Sequence, residues 1–90
     1  MPDFMINEQW MELPIPSVGD IVHLYFGNAY LEYAKVIVRD PMSSEIFSGI
    51  TVGVFDGLKN VQVYASAYGI AMGKEVFFRR ENIFNVIKPI

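Results

Sequence analysis

The chain has no cysteine, which excludes disulfide stapling and thiol catalysis together. It has one histidine, His23, so neither a histidine metal cluster nor a multi-histidine catalytic site can be built. No run approaches the roughly 20 consecutive apolar residues that a membrane helix requires. The first residues, Met1-Pro2-Asp3-Phe4-Met5, lack the basic n-region and apolar core of a signal peptide. A cytoplasmic protein with no membrane partner is the expectation from these absences. No segment carries a sustained helical period either, and there are no internal repeats or low-complexity tracts.

What is there is apolar. Of 90 residues, 52% are hydrophobic and only 19% charged, enough apolar surface to offset chain entropy in one small domain. The excess fits a two-sided sheet, a covered barrel or an oligomer interface. The net charge is −3, the opposite of the basic footprint of a nucleic-acid surface. It is unevenly spread. Residues 1–34 hold five acids and no base, whereas residues 35–90 hold seven bases and five acids. Ordinary solvated charge accounts for this, and a charge-complementary partner is the sharper alternative.

Two parts are expected: an N-terminal arm over residues 1–17 and an all-β domain over 18–90. In the arm, Phe4, Met5, Ile6, Trp10, Met11 and Leu13 follow neither a helix nor a strand period. A short helical turn from Asp3 to Trp10, capped by Asp3, is expected there. Leu13-Pro14-Ile15-Pro16 then runs extended, because proline pushes the residue before it out of the α region. Trp10 either packs on the domain or docks on another chain, and packing is favoured because a small domain needs additional core.

From Val18 onward alternation dominates. Val22, Leu24 and Phe26 share one face of the first strand, and Ile21, His23 and Tyr25 the other. Gly27-Asn28 is a turn signal. Over Leu31–Arg39, Ala34, Val36 and Val38 oppose Tyr33, Lys35, Ile37 and Arg39, and Asp40-Pro41-Met42-Ser43-Ser44 forms a loop. Ile46, Ile50, Val52 and Val54 are read in phase on a third strand, with Gly49 and Gly53 opposite, permitting bending and close approach. Asp56-Gly57 opens a hairpin loop to Asn60. Val61, Val63, Ala65 and Ala67 form the inward face of a fourth strand, leaving Tyr64 and Tyr68 outward. After Gly69 to Gly73, Val76 and Phe78 share a phase, Arg80-Glu81-Asn82 turns, and Ile83 to Ile87 closes the sheet.

Catalysis has little to work with. His23 and Asp20 are the only candidates, and Ser48 and Ser66 lack the setting of an activated serine. No metal-ligand spacing or phosphate loop occurs, so no cofactor or metal is expected. A nucleic-acid site would use Lys35, Arg39, Arg79 and Arg80, interleaved with aromatics, although Glu32, Glu75 and Glu81 lie in the same segments. The outward aromatics Tyr25, Tyr33, Tyr64 and Tyr68, with Trp10, are the leading candidates for a protein contact; equally, the arm covers these tyrosines, with Trp10 and Leu13 completing a second small core.

Gly19-Asp20-Ile21-Val22, Ala34-Lys35-Val36, and Val76-Phe77-Phe78 followed by Glu81-Asn82-Ile83 together resemble the SH3-like small barrels, most closely the Tudor-type and transcription/translation-factor barrels. The resemblance spans about Val18 to Lys88. It implies a barrel of five or six strands, with a single 3₁₀ turn at Arg80-Glu81-Asn82-Ile83 before the last strand. The Ala-Leu-Tyr-Asp-Tyr run and paired tryptophans of signalling SH3 domains do not occur, so their proline-peptide groove does not carry over. The segment from Ile46 to Tyr68 is longer than a Tudor barrel needs. The expectation is a non-enzymatic interaction module whose partner is a protein or a second copy, with single-stranded nucleic acid as the alternative.

Overall fold

The computed structural model describes residues 4–26, 32–57, 61–62, 72–73 and 75–89. The expected strand continuation over Val63 to Ala67 and the Gly69 loop lie outside them, except Met72 and Gly73, which form a turn. The fold is all-β. A 3₁₀ turn at Trp10–Glu12 precedes β1 (Ile21–Phe26), β2 (Glu32–Asp40), β3 (Ile46–Asp56), β4 (Val61–Gln62) and β5 (Glu75–Arg79). A second 3₁₀ turn, Arg80–Asn82, leads into β6 (Ile83–Ile87). All pairings are antiparallel, in the order β4-β3-β2-β1-β6, with β5 also on β3.

Hydrogen bonds do not close this sheet into a ring among the described residues, but a short stretch of chain links its two ends. β5 belongs to the β3 end of the sheet and β6 to the β1 end, and three residues of 3₁₀ turn join them. The sheet is therefore rolled, and its principal extents are nearly equal at 30 × 27 × 26 Å. The inner faces enclose Val22, Leu24, Phe26, Ala34, Val36, Val38, Phe47, Val54, Val76, Phe78 and Ile83. Every one of the expected in-facing residues on β1, β2 and β5 is here. Phe47 and Phe78 are cross-strand partners, stacked at 5.8 Å between ring centroids.

The third strand departs from the simple alternation expected of it. Lys35 pairs with Gly53 but Val36 with Thr51, so Val52 is an extra residue, a β-bulge that reverses the phase. Before the bulge Phe47 and Thr51 are buried and Ile46 and Ile50 face outward; after it Val54 is buried. Val52 itself is 41% exposed. The four residues read in one phase thus occupy both faces. The bulge also divides the outer edge of β3, with β5 along Ile46–Ile50 and β4 at Phe55 and Asp56. Gly49 permits the close approach expected of it: an added Cβ would meet the Ile37 carbonyl oxygen and, at 2.5 Å, Val36 Cγ1.

β1 is anchored at its start by a turn. Asp20 N–H donates to Ser17 O (3.0 Å) with Gly19 at φ +92°, a left-handed value suited to glycine. The buried Asp20 carboxylate accepts from Ser17 N–H (2.8 Å) and from Lys88 Nζ. Burial pulls the carboxyl upward, but the Lys88 hydrogen bond and charge and the Ser17 amide outweigh it and hold it below its ordinary 3.8. Its stabilising contribution is thus present above pH 3.8 and lost as pH falls through the lowered value.

The arm is docked on its own domain. Asp3, the expected cap of a helical turn to Trp10, lies outside the described residues; from Phe4 the arm enters extended instead, with Phe4 bridging Phe26 and Met5 N–H donating to Tyr25 O (2.8 Å), and turns only at Glu8-Gln9. β6 pairs with β1 only from Ile21 to Leu24, so the arm takes the edge that β6 leaves at Tyr25 and Phe26. The unpaired edge is what draws the arm out of a helix. Asn82 Nδ2 donates to Met5 O (3.2 Å) and Phe4 O (3.4 Å), while its Oδ1 accepts from Arg79 N–H (2.9 Å). Asn7 answers from the arm: its N–H donates to Glu81 O (2.8 Å) and its Nδ2 to Ile83 O (2.9 Å).

Two variants test this account. Asn82→Ala removes three hydrogen bonds that hold turn and arm, and should lower unfolding free energy by about 2 kcal/mol in urea denaturation; a loss within experimental error would refute the clasp. Gly49→Ala should cost about 2 kcal/mol, because β2 backbone cannot yield to the added methyl; an unchanged urea midpoint would show that the strands separate freely.

Candidate functional site

Three surface features gather the side chains with chemical potential. The first is the outer face of β1–β2–β3. Register sets Tyr25 beside Tyr33, Tyr33 beside Phe55, His23 beside Lys35, and Lys35 beside Gly53. A bulge in β6 adds Phe84, because His23 pairs with Asn85 and Leu24 with Ile83. The rings pack on one another: Tyr33 lies 4.7 Å from His23, 5.4 Å from Tyr25 and 5.5 Å from Phe55, and Tyr25 meets Phe84 edge-on at 4.6 Å. Gly53 leaves the space that the Phe55 ring fills, since an added Cβ would sit 2.6 Å from Phe55 Cε1. Lys35 Nζ stands 4.6 Å over the same ring, a cation–π contact.

This face is a second packed layer. Tyr33 points away from the inner core, as alternation requires, yet it is only 6% exposed, and Tyr25 is half-buried. Tyr33 thus faces outward, as its phase predicts, but is covered, because His23 and Tyr25 of β1 and Phe55 of β3 pack on it. Burial, and then the proximity of Tyr25, push the Tyr33 phenol upward. Burial, followed by the Lys35 ammonium, holds the His23 imidazole below its ordinary 6.5. His23 Nε2 is buried without a hydrogen-bond partner among the described residues. Tyr64 and Tyr68 lie outside the described residues, as does Ser66.

The second feature is the clasp around Arg80. Its guanidinium lies 5.0 Å from the Trp10 ring centroid and donates to Leu13 O (3.3 Å), while its backbone N–H donates to Glu45 O (2.8 Å). Trp10 and Arg80 are both half-buried. Intramolecular docking of the tryptophan is what the structure shows.

The third is an apolar groove of about 260 Å³ at the start of β3 and the end of β5, lined by Ile46, Phe77, Phe78, Arg79 and Asn82. Phe77 is 49% exposed and Ile46 41%, although the neighbouring Val76 and Phe78 are buried. Phe77 is held out by β-alternation between two core residues, so its ring has a fixed backbone beneath it. The alternating Glu75-Val76-Phe77-Phe78-Arg79 segment carried this signal in sequence, but Ile46, read in phase with Val54, reaches the outer face through the bulge at Val52 and comes opposite Arg79 by the β3–β5 register.

The remaining candidates do not converge. Asp20 turns to Lys88 and Ser17 while His23 packs on Tyr33 from the opposite phase of β1, so no His–Asp pair forms. Ser48 is buried on β3. Arg39 and Arg79 are exposed at strand ends, Lys35 is on Phe55 and Arg80 on Trp10. Among the described residues no three His, Asp or Glu side chains group as a metal site, and no helix is long and apolar enough to cross a membrane. Comparisons with protein-family models, curated proteins and solved structures found no match.

The burial of His23 has a measurable consequence. A lowered folded pKa means that the unfolded chain binds the proton more readily, so stability is full above about pH 6.5 and falls as pH drops below it. Lys35, Asn85, Tyr25 and Tyr33 surround the imidazole, and no carboxylate is its register partner. The urea midpoint of the wild type should therefore decrease between pH 7.5 and 5.5, whereas His23→Gln should be flat over that interval. Equal pH dependence in the two proteins would show that His23 is not the titrating group.

Proposed function

We propose that this chain is a non-enzymatic protein-interaction module, built as a small barrel of the SH3-like kind and resident in the cytoplasm. The barrel reading is supported by the rolled all-β sheet and by the 3₁₀ turn that joins β5 to β6. The interaction reading rests on one observation: Phe77 and Ile46 stand exposed over a groove on paired strands, with the cationic Arg79 at the rim. An aromatic anchor beside a charged rim is the composition that carries binding energy at protein interfaces. Trp10, Tyr25 and Tyr33 have partners within the chain, which shifts the proposed contact from those rings to the β5 edge.

Single-stranded nucleic acid is the alternative, and it has less support. Two of its four bases, Lys35 and Arg80, are engaged with aromatic rings of the chain itself, and the net charge is −3. Phe77→Ser, with its urea midpoint unchanged, should weaken protein binding by tenfold or more, the loss typical of an interface aromatic. The check is affinity capture with both proteins, followed by titration with an oligothymidine at two salt concentrations. Salt-dependent oligothymidine binding that Arg39→Ala/Arg79→Ala removes, with no effect of Phe77→Ser on capture, would reverse the assignment.

A further inference from the structure

We infer that the partner of the β5 edge is a second copy of this chain, bound by antiparallel β5–β5 pairing about a two-fold axis at Phe77; this deepens the interaction-module reading and rests on it. The outward residues of β5 are Glu75, Phe77 and Arg79, all exposed, while Val76 and Phe78 face the core. That order is self-complementary. In an antiparallel ladder centred on Phe77, Glu75 faces the partner's Arg79, Phe77 faces the partner's Phe77, and Arg79 faces the partner's Glu75. Opposite charges directly across an antiparallel ladder attract and like charges repel. A parallel arrangement would set like against like.

The backbone is oriented for the same ladder. Arg80 N–H donates to Glu45 O, which fixes which β5 residues bond toward β3. With Phe47 opposite Phe78 and Gly49 opposite Val76, alternation turns the N–H and C=O groups of residues 76 and 78 to β3. Those of Glu75, Phe77 and Arg79 then point to the other edge, where no described strand pairs. Phe77 can exchange two hydrogen bonds with the partner's Phe77. Glu75 N–H can donate to the carbonyl of the partner's Arg79. Arg79 N–H is already taken by Asn82 Oδ1 (2.9 Å), so the ladder ends there and is short and defined in register.

Charge and apolar surface agree on this occupant. Among the described residues neither Glu75 nor Arg79 has an ion-pair partner, the one salt bridge being Lys88–Asp20. Ile46, opposite Arg79 across the β3–β5 pair, widens the apolar centre around Phe77. A two-fold contact covers both copies of this centre and satisfies four charges at once, which is how isologous interfaces are built. It also pairs a sheet edge that no described strand covers.

Charge exchange tests the pairing. Sedimentation equilibrium of the full chain should show a dimer for the wild type, and Glu75→Arg and Arg79→Glu should each raise Kd on the order of tenfold or more. Mixed in equal amounts, the two variants regain both opposite-charge contacts and should form a heterodimer that neither forms alone. Both substitutions are at exposed positions, and unchanged circular dichroism confirms the fold. A wild type that stays monomeric at 500 µM (a concentration on the order of those used to detect weak self-association) overturns the inference. So does a dimer indifferent to both charge variants, or a mixture that stays monomeric. If the chain is monomeric yet capture of another protein still depends on Phe77, self-pairing fails while the interaction-module reading stands.

Discussion

The three-residue 3₁₀ turn between β5 and β6, held by Asn82, is the constraint on which the rest of the molecule depends. A strand at one end of the sheet must pass into a strand at the other end within Arg80–Asn82, and only a rolled sheet can satisfy that. Asn82 serves three backbone groups from one amide: Arg79 N–H on its oxygen side, and the carbonyls of Phe4 and Met5 on its nitrogen side. Turn, arm and β1 edge are thereby tied at one point. A side-chain amide is suited to this because it presents donor and acceptor in one plane.

That closure sorts the aromatic residues into three environments. Phe26, Phe47 and Phe78 fill the enclosed core. Tyr25, Tyr33, Phe55 and Phe84 form a layer on the outer face, where the space beneath Phe55 exists because residue 53 is glycine. Phe77 belongs to neither and remains exposed. A small domain has little interior volume, so an apolar composition of 52% has to be accommodated outside the core as well. The second aromatic layer takes part of this, while Phe77 and Ile46 at β5 remain exposed, as do Ile6, Met11 and Ile15 on the arm.

The basic residues divide the same way. Arg79 and Arg80 are adjacent in sequence, but strand alternation sends Arg79 outward while the 3₁₀ turn carries Arg80 back over Trp10 and onto Leu13 O. Placing a guanidinium on an indole face lets a charge and a large apolar ring share a half-buried site. The arm is therefore held both by hydrogen bonds at Asn7 and Asn82 and by ring packing at Trp10. Lys88 extends the hold to the end of the arm through Ile15 O (3.3 Å) and the Asp20 carboxylate.

Much of this was legible in the chain. Alternating apolar residues determined that the protein is all-β and which residues of β1, β2 and β5 face inward, because a period of two leaves one choice of face once one side is buried. The polar Arg80-Glu81-Asn82 run marked the turn before the last strand. The bulges at Val52 and Phe84 were not legible, since a bulge is defined by the register of two strands and neither strand encodes it alone. For the same reason alternation placed Tyr33 on the outer face but could not show that His23, Tyr25 and Phe55 would bury it there. Trp10 and Arg80 are seventy residues apart in sequence, and only the rolled sheet brings them together. Composition and period set the faces; tertiary closure decided which side chains remained for a partner, because exposure depends on what the rest of the chain covers.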